Sequence, residues 1–162
     1  MILPQSQLKL IKFDILDFHM GYIAPKESIE ELDEDKYVLD LKFKITVDKD
    51  SGHIFVYTSV IVNSPEAKYP CHILDVDAGT VFYIDPSSGI TEENKELMIK
   101  ASAVPIAFNN VRGFIQNATS YSPIGVYMLP LFSASTLMQN QFKKSPPKAA
   151  KVKSTSVTKQ TK

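Results

Sequence analysis

The chain has 162 residues but only one cysteine, Cys71, so an internal disulfide framework is excluded. No apolar run approaches the roughly 18 residues needed to span a bilayer. The opening stretch, MILPQSQLKLIKFD, has no basic segment before an apolar one and no small-residue cleavage site. A secretion signal is therefore not predicted, and we expect a cytoplasmic protein.

Motifs of common catalytic chemistry are also missing. The sequence has no glycine-rich phosphate loop and no nucleophile motif. Three histidines are present, at His19, His53 and His72. They could meet across neighbouring strands, and Cys71-His72 is a possible ligand pair, but no spacing matches a zinc motif. We predict a protein that is not an enzyme and that binds no metal or cofactor.

Acidic residues are absent from the C-terminal end, although the formal net charge of the chain is zero. Residues 143–162 carry seven lysines, hence +7, and residues 1–142 carry −7. The basic stretch also lacks aromatic residues and contains Pro146-Pro147, so it cannot bury enough surface to offset its ordering entropy. We predict a domain over 1–142 and a disordered lysine-rich tail over 143–162. The tail could fold back on the acidic body, contact RNA, ribosomes or acidic lipid, or serve solubility alone.

Four segments have the composition of strands: 8–20, 37–48, 53–63 and 70–85. Segment 37–48 alternates most cleanly, with apolar residues at Leu39, Leu41, Phe43 and Ile45. In segment 8–20 the residues Ile11, Phe13 and Ile15 share one side. Short turn clusters leave little room for crossover helices, so we predict an antiparallel meander, with the acidic connection 25–36 as the exception.

The stretch PIAFNNVRGFIQNATS, residues 105–120, is typical of a helix. Pro105 suits a first turn, which predicts that this helix is separate from a shorter one capped by Thr91. Its apolar stripe comprises Val104, Phe108, Val111, Ile115 and Ala118. Gly113 costs about 1 kcal/mol relative to alanine in a helix interior, which indicates close packing or a nearby break.

An unusually apolar loop follows, YSPIGVYMLPL at 121–131, and residues 132–142 predict a second short helix that starts near Ser133. This order of elements resembles the SecB family of export chaperones. PIAFNNVRGFIQNAT with Pro123 and Leu129-Pro130 resembles the family's proline-opened helix, short connection and L-P step into the last helix. ILDVDAGTVFYI, 73–84, resembles a family strand with an acidic residue, a glycine and an F-x-I ending. The resemblance covers roughly residues 8–142.

The resemblance implies an α+β fold: a four-stranded antiparallel sheet, a long helix and a shorter C-terminal helix, assembled as a dimer of dimers. It also implies an ATP-independent holdase that binds unfolded polypeptides, for delivery to the SecA motor or for a dedicated client such as an antitoxin. A non-catalytic scaffold with this fold is the remaining alternative. Arg112 would lie on the polar side of the long helix, where it could also be simply solvated.

Three sets of site residues follow from the resemblance and from the chemistry of client binding. The first set would bind clients: Ile124, Val126, Tyr127, Met128, Leu129, Leu137 and Met138. The second would dock the motor: Asp14, Asp75 and Asp77. The third would form the oligomer interface: Phe108, Val111, Gly113 and Ile115. The alternative for the apolar residues is that they form an ordinary core, and only their exposure to solvent separates this from client binding. The alternative for the aspartates is a solvated face of the sheet.

Overall fold

The computed structural model describes residues 6–26 and 32–132. Within them, four antiparallel strands form one sheet: β1 (Lys9–Ile23), β2 (Leu39–Val47), β3 (His53–Val62) and β4 (Cys71–Tyr83). The predicted strand segments are confirmed to within a few residues at each end. The predicted second helix, Leu137, Met138 and the lysine-rich tail all lie outside the described residues.

The strand order across the sheet is β1-β4-β3-β2. Strands β2, β3 and β4 form the predicted meander. Strand β1 does not pair with β2, its neighbour in sequence; it pairs with β4, at the opposite edge of the sheet from β2. The meander was predicted with the connection 25–36 as its exception, and β1 and β2, on either side of that connection in sequence, lie at opposite edges of the sheet. Strand β1 has 15 residues and β4 has 13, whereas β2 has 9, so pairing with β4 satisfies far more of the backbone of β1.

Strand β1 contains two register shifts, between Leu10 and Lys12 and between Ile15 and Asp17. Phe13 and Ile15 pack against the core as predicted, but Ile11 falls in the first shift and is exposed. A bulge adds one residue to a strand and changes which side the following side chains take. The predicted grouping of Ile11 with Phe13 and Ile15 is therefore wrong.

A continuous helical run follows β4. It consists of helix α1 (Glu92–Met98), a π-helical turn (Ile99–Ala103) and helix α2 (Val104–Thr119). Thr91 caps α1 as predicted, and its hydroxyl accepts the Asn94 N–H at 3.3 Å. The predicted separation of the helices at Pro105 is wrong. The wider π turn precedes Pro105, so its missing N–H falls in the first turn of α2 and the run continues.

Helix α2 packs on one face of the sheet, which we call the core face. Val104, Phe108, Val111 and Ile115 are buried against apolar side chains of β3 and β4. Phe108, Val111 and Ile115 therefore belong to the core of the chain itself, which corrects their predicted position at an oligomer interface. Gly113 lies away from this packing, since a Cβ added there would meet no atom within 4 Å. No helix in the described part is long and apolar enough to cross a membrane.

Candidate client-binding segment and acidic face

Residues 121–132, here called the return segment, run back along α2 from its C-terminal end. Tyr127 lies beside Thr119, Leu129 lies beside Arg112, and the rings of Phe132 and Phe108 are 5.9 Å apart. The helix positions in these contacts decrease as the segment positions increase, so the two run antiparallel. The ring of Tyr127 also contacts that of Tyr37, just before β2, at 5.2 Å. The segment therefore covers the flank of α2 nearest β2.

Side chains of the return segment alternate between the core and solvent. Tyr127 and Leu129 are 3% and 1% exposed, whereas Val126, Met128 and Leu131 are 46%, 47% and 75% exposed. Ile124 is half-buried. Tyr127 and Leu129, predicted as client contacts, are thus core residues in this chain, because their side chains fill the space between α2 and the sheet. Leu131 is a comparably exposed apolar residue that the predicted set missed.

Two side chains of α2 anchor the backbone of the return segment. The Arg112 Nε–H donates to the Leu129 carbonyl at 2.8 Å. The Thr119 hydroxyl oxygen accepts the Tyr127 N–H at 3.0 Å. An extended segment without a neighbouring strand needs partners for its polar groups, and these side chains supply them. Arg112 is therefore not simply solvated: it holds the segment that it flanks.

A third anchor comes from the sheet. His72, on β4, is fully buried, and its Nε2 lies 2.9 Å from the Gly125 carbonyl oxygen. Gly125 has a φ of +94°, a backbone conformation that residues with a side chain rarely adopt. Asn63 holds the backbone of His72 in place, because the Asn63 side-chain amide donates to the His72 carbonyl oxygen at 2.8 Å. Sequence reasoning missed this role, although His72 shares the side of β4 that Leu74 and Val76 occupy.

The predicted motor-docking aspartates share the solvent-facing side of the sheet, opposite α2. Asp75 and Asp77 are both exposed on β4, and Asp14 lies on the adjacent β1. Asp14 forms an ion pair with Lys12 at 2.9 Å. Asp17, which was not predicted, lies directly opposite Asp77 in the β1–β4 register. Like charges at opposed positions repel, and Lys42 and Lys44 line the same side of the sheet near Asp17 and Asp77. The four aspartates are here called the acidic face.

The three histidines do not meet. His19 faces solvent beside Asp17 at 3.3 Å, His53 lies near Tyr83, and His72 points into the core. Burial raises the pKa of the Cys71 thiol, and a protonated thiol is a poor metal ligand. Among the residues with described positions, no group of three or more His, Cys, Asp or Glu could hold a metal ion.

No protein-family model and no curated protein sequence matches the chain. Among solved structures, it is similar to the SecB-like chaperone Rv1957 of Mycobacterium tuberculosis, solved in complex with a ChAD peptide from the HigA1 antitoxin. The TM-score is 0.55 at 14% identity, over 78% of this chain and 88% of that one. A Streptococcus agalactiae protein of unknown function matches at TM-score 0.40 and 9% identity, over 76% and 97% of the two chains, which is too weak to carry an argument. The four-stranded antiparallel sheet followed by a long helix is therefore the SecB-like fold.

Proposed function

We propose that the protein is an ATP-independent holdase that binds unfolded polypeptide segments along the return segment. The observation that supports this is the alternation of its side chains. Val126 and Met128 are exposed and alternate with the buried Tyr127 and Leu129, and Leu131, after Pro130, is exposed as well. Exposed apolar side chains that include a flexible methionine suit many client sequences.

A triple variant tests this proposal. The variant with serine in place of Val126, Met128 and Leu131 should suppress the aggregation of a diluted, denatured client several-fold less well than the unaltered protein. The assay contains no nucleotide. The apolar contact is lost while the buried side of the segment is untouched. Light scattering of the client measures the effect at equimolar chaperone.

The matched control is Val47→Ser with Leu97→Ser, which removes exposed apolar side chains away from the return segment. This control should hold clients as the unaltered protein does. Equal activity of the triple variant and the control would sink the proposed site. An unaltered protein that protects none of several clients would favour the scaffold alternative.

A dedicated client is the second candidate function. The supporting observation is the structural neighbour, which was solved with a peptide from an antitoxin. An affinity pull-down from the native cytoplasm separates the two cases. One dominant partner would favour a dedicated client, and a broad set of precursors would favour general export.

Delivery to a SecA-type motor is the corresponding proposal for the acidic face formed by Asp14, Asp17, Asp75 and Asp77. Such docking would be electrostatic, with a basic partner, and weakened by salt.

The lysine-rich tail, with its +7 charge, is proposed to contact polyanions such as RNA, ribosomes or acidic lipid, also in a salt-dependent manner. Both proposals assume a cytoplasmic location.

Assembly as a homotetramer is proposed for the exposed side of α2 around Gly113. Light scattering should give about four times the 18.1 kDa chain mass. Gly113→Leu should shift the assembly toward dimers, because a bulky side chain there points away from its own chain. Gly113→Ala should stabilise the isolated chain by about 0.5–1 kcal/mol, since alanine suits a helix interior better. A monomer at micromolar concentration would contradict the proposal.

A further inference from the structure

The outer side of the sheet, opposite α2, carries its charges in an ordered pattern. Directly paired residues of antiparallel strands point to the same side, so the pairing register defines rows of side chains that cross the sheet. Two neighbouring rows cross the middle of β4. Read from β1 to β2, they are Asp14, Gly79, Tyr57 and Lys44, and then Asp17, Asp77, Ser59 and Lys42. Each row is therefore acidic at its β1 end and basic at its β2 end.

A depression of about 440 Å³ lies between these two ends. Gly79 has no side chain to fill it, and Leu16 Cδ1 lies 3.6 Å from the position that a Gly79 Cβ would occupy. Tyr57, opposite Gly79 on β3, is 43% exposed, and Leu16 is 58% exposed. The outer side thus has a gap at Gly79 and an exposed aromatic side chain next to that gap.

We infer that the outer side binds a second copy of the chain, face to face, about a two-fold axis that runs along the strands between β3 and β4. Rotation about this axis places each row on the same row of the second copy in reverse order. Lys44 of the second copy then faces Asp14, and its Lys42 faces Asp17. Its Tyr57 faces the gap at Gly79. By symmetry every one of these contacts forms twice.

The rows on either side bring no like charges together in this arrangement. Their contacts would join Lys12 to Thr46, Val81 to Phe55, His19 to Asp40, and Asp75 to Ile61. Packed sheets lie about 10 Å apart and cross at about 30°, so the match matters most in the two middle rows. A partner with charges of one sign would place like charges against one end of each row, which favours a second copy as the occupant.

Three of the charged end residues already have a neighbour on their own strand. These neighbours are Lys12, 2.9 Å from Asp14; Asp40, 2.6 Å from Lys42; and His19, 3.3 Å from Asp17. All six side chains are at least 40% exposed. Ion pairs on an exposed surface are weak, so these can be exchanged for contacts with the second copy.

The inference goes beyond client holding, which is proposed for the return segment on the other side of the sheet. A second copy would cover Asp17 and Asp77. It would therefore compete with a basic partner for the acidic face.

Charge reversal in the full chain tests the inference. Lys42→Glu with Lys44→Glu should weaken self-association about tenfold or more, because four contacts between the copies become repulsive. Asp14→Lys with Asp17→Lys should do the same. An equimolar mixture of the two variants should restore association, since each reversed end then meets an end of opposite charge. Sedimentation velocity at low salt, over a range of protein concentrations, measures every sample.

The matched control is Lys36→Glu with Lys68→Glu, which changes the net charge equally but lies outside the four strands. It should associate as the unaltered protein does. Any contact through α2 is the same in all samples, so it does not affect the comparison. Circular dichroism checks folding, and if the lysine substitutions unfold the chain, Asp14→Asn with Asp17→Asn should still weaken association.

Three results would overturn the inference. The unaltered protein could stay monomeric at every concentration. Both reversed variants could associate as the control does, which is also the result expected of a face that binds only a basic partner. The mixture could associate no better than either variant alone, which would show that the opposed charges do not meet across two copies.

Discussion

Leu129→Ala is expected to lower the free energy of unfolding by about 2–5 kcal/mol, whereas Met128→Ala should lower it by less than about 1 kcal/mol. The two residues are neighbours of similar size, but Leu129 is 1% exposed and Met128 is 47% exposed. Truncating Leu129 leaves a cavity among Tyr127, Phe108 and the apolar side chains of the sheet. Urea denaturation followed by circular dichroism, at one protein concentration, measures both values.

Client binding should show the opposite order. Met128→Ala should weaken aggregation suppression at temperatures where both variants are folded, and Leu129→Ala should not, because its side chain does not reach solvent. Similar losses of stability in the two variants would contradict the alternation of the return segment.

The second large effect is expected at Gly52, in the turn between β2 and β3. Its φ is +73°, and a Cβ placed there would lie 2.2 Å from the Ile84 carbonyl oxygen and 2.9 Å from the Pro86 ring. The residue is also held by hydrogen bonds to Asp48 and Ile84, each 3.0 Å long. Gly52→Ala is therefore expected to lower the free energy of unfolding by more than about 3 kcal/mol, since the obstructing atom belongs to the backbone.

Gly89 supplies the control for this prediction. Its φ is +70°, but an added Cβ would meet no atom within 4 Å. Gly89→Ala should cost only the strain of the left-handed conformation, about 1–2 kcal/mol. Thermal and urea unfolding of both variants measure the difference. Equal losses would show that the conformation matters at Gly52 and that the close approach to Ile84 does not.

The strands and helices of this fold could be predicted from local sequence patterns. Which strands pair, and what the apolar face of α2 packs against, could not. Strand β2 alternates in sequence and in exposure, because every second residue contacts the core. The sides of β1 were misassigned at Ile11 because a bulge depends on pairing with β4, which lies far along the chain. The stripe Phe108, Val111 and Ile115 was recognised as apolar, but periodicity does not show whether such a stripe faces its own sheet or a second chain.

The return segment was predicted as an apolar loop after the long helix, but the orientation of its side chains was not. The sequence Val126 to Leu131 contains no polar residue, so no alternation of polarity marks which side chains face solvent. Exposure therefore could not be assigned until the contacts with α2 were known. The anchoring roles of Arg112 and His72 depend on backbone carbonyls brought close by the fold, 17 and 53 positions away along the chain. No local pattern encodes such a contact.

The alternation of buried and exposed side chains along the return segment has an evolutionary consequence. Under the proposed function, substitutions at the outward positions would alter client preference while the inward positions preserve the fold. Selection could then retarget the protein one residue at a time, through intermediates that all remain folded. A combinatorial library restricted to positions 126, 128 and 131 would sample this repertoire, and most of its members should still accumulate as folded protein.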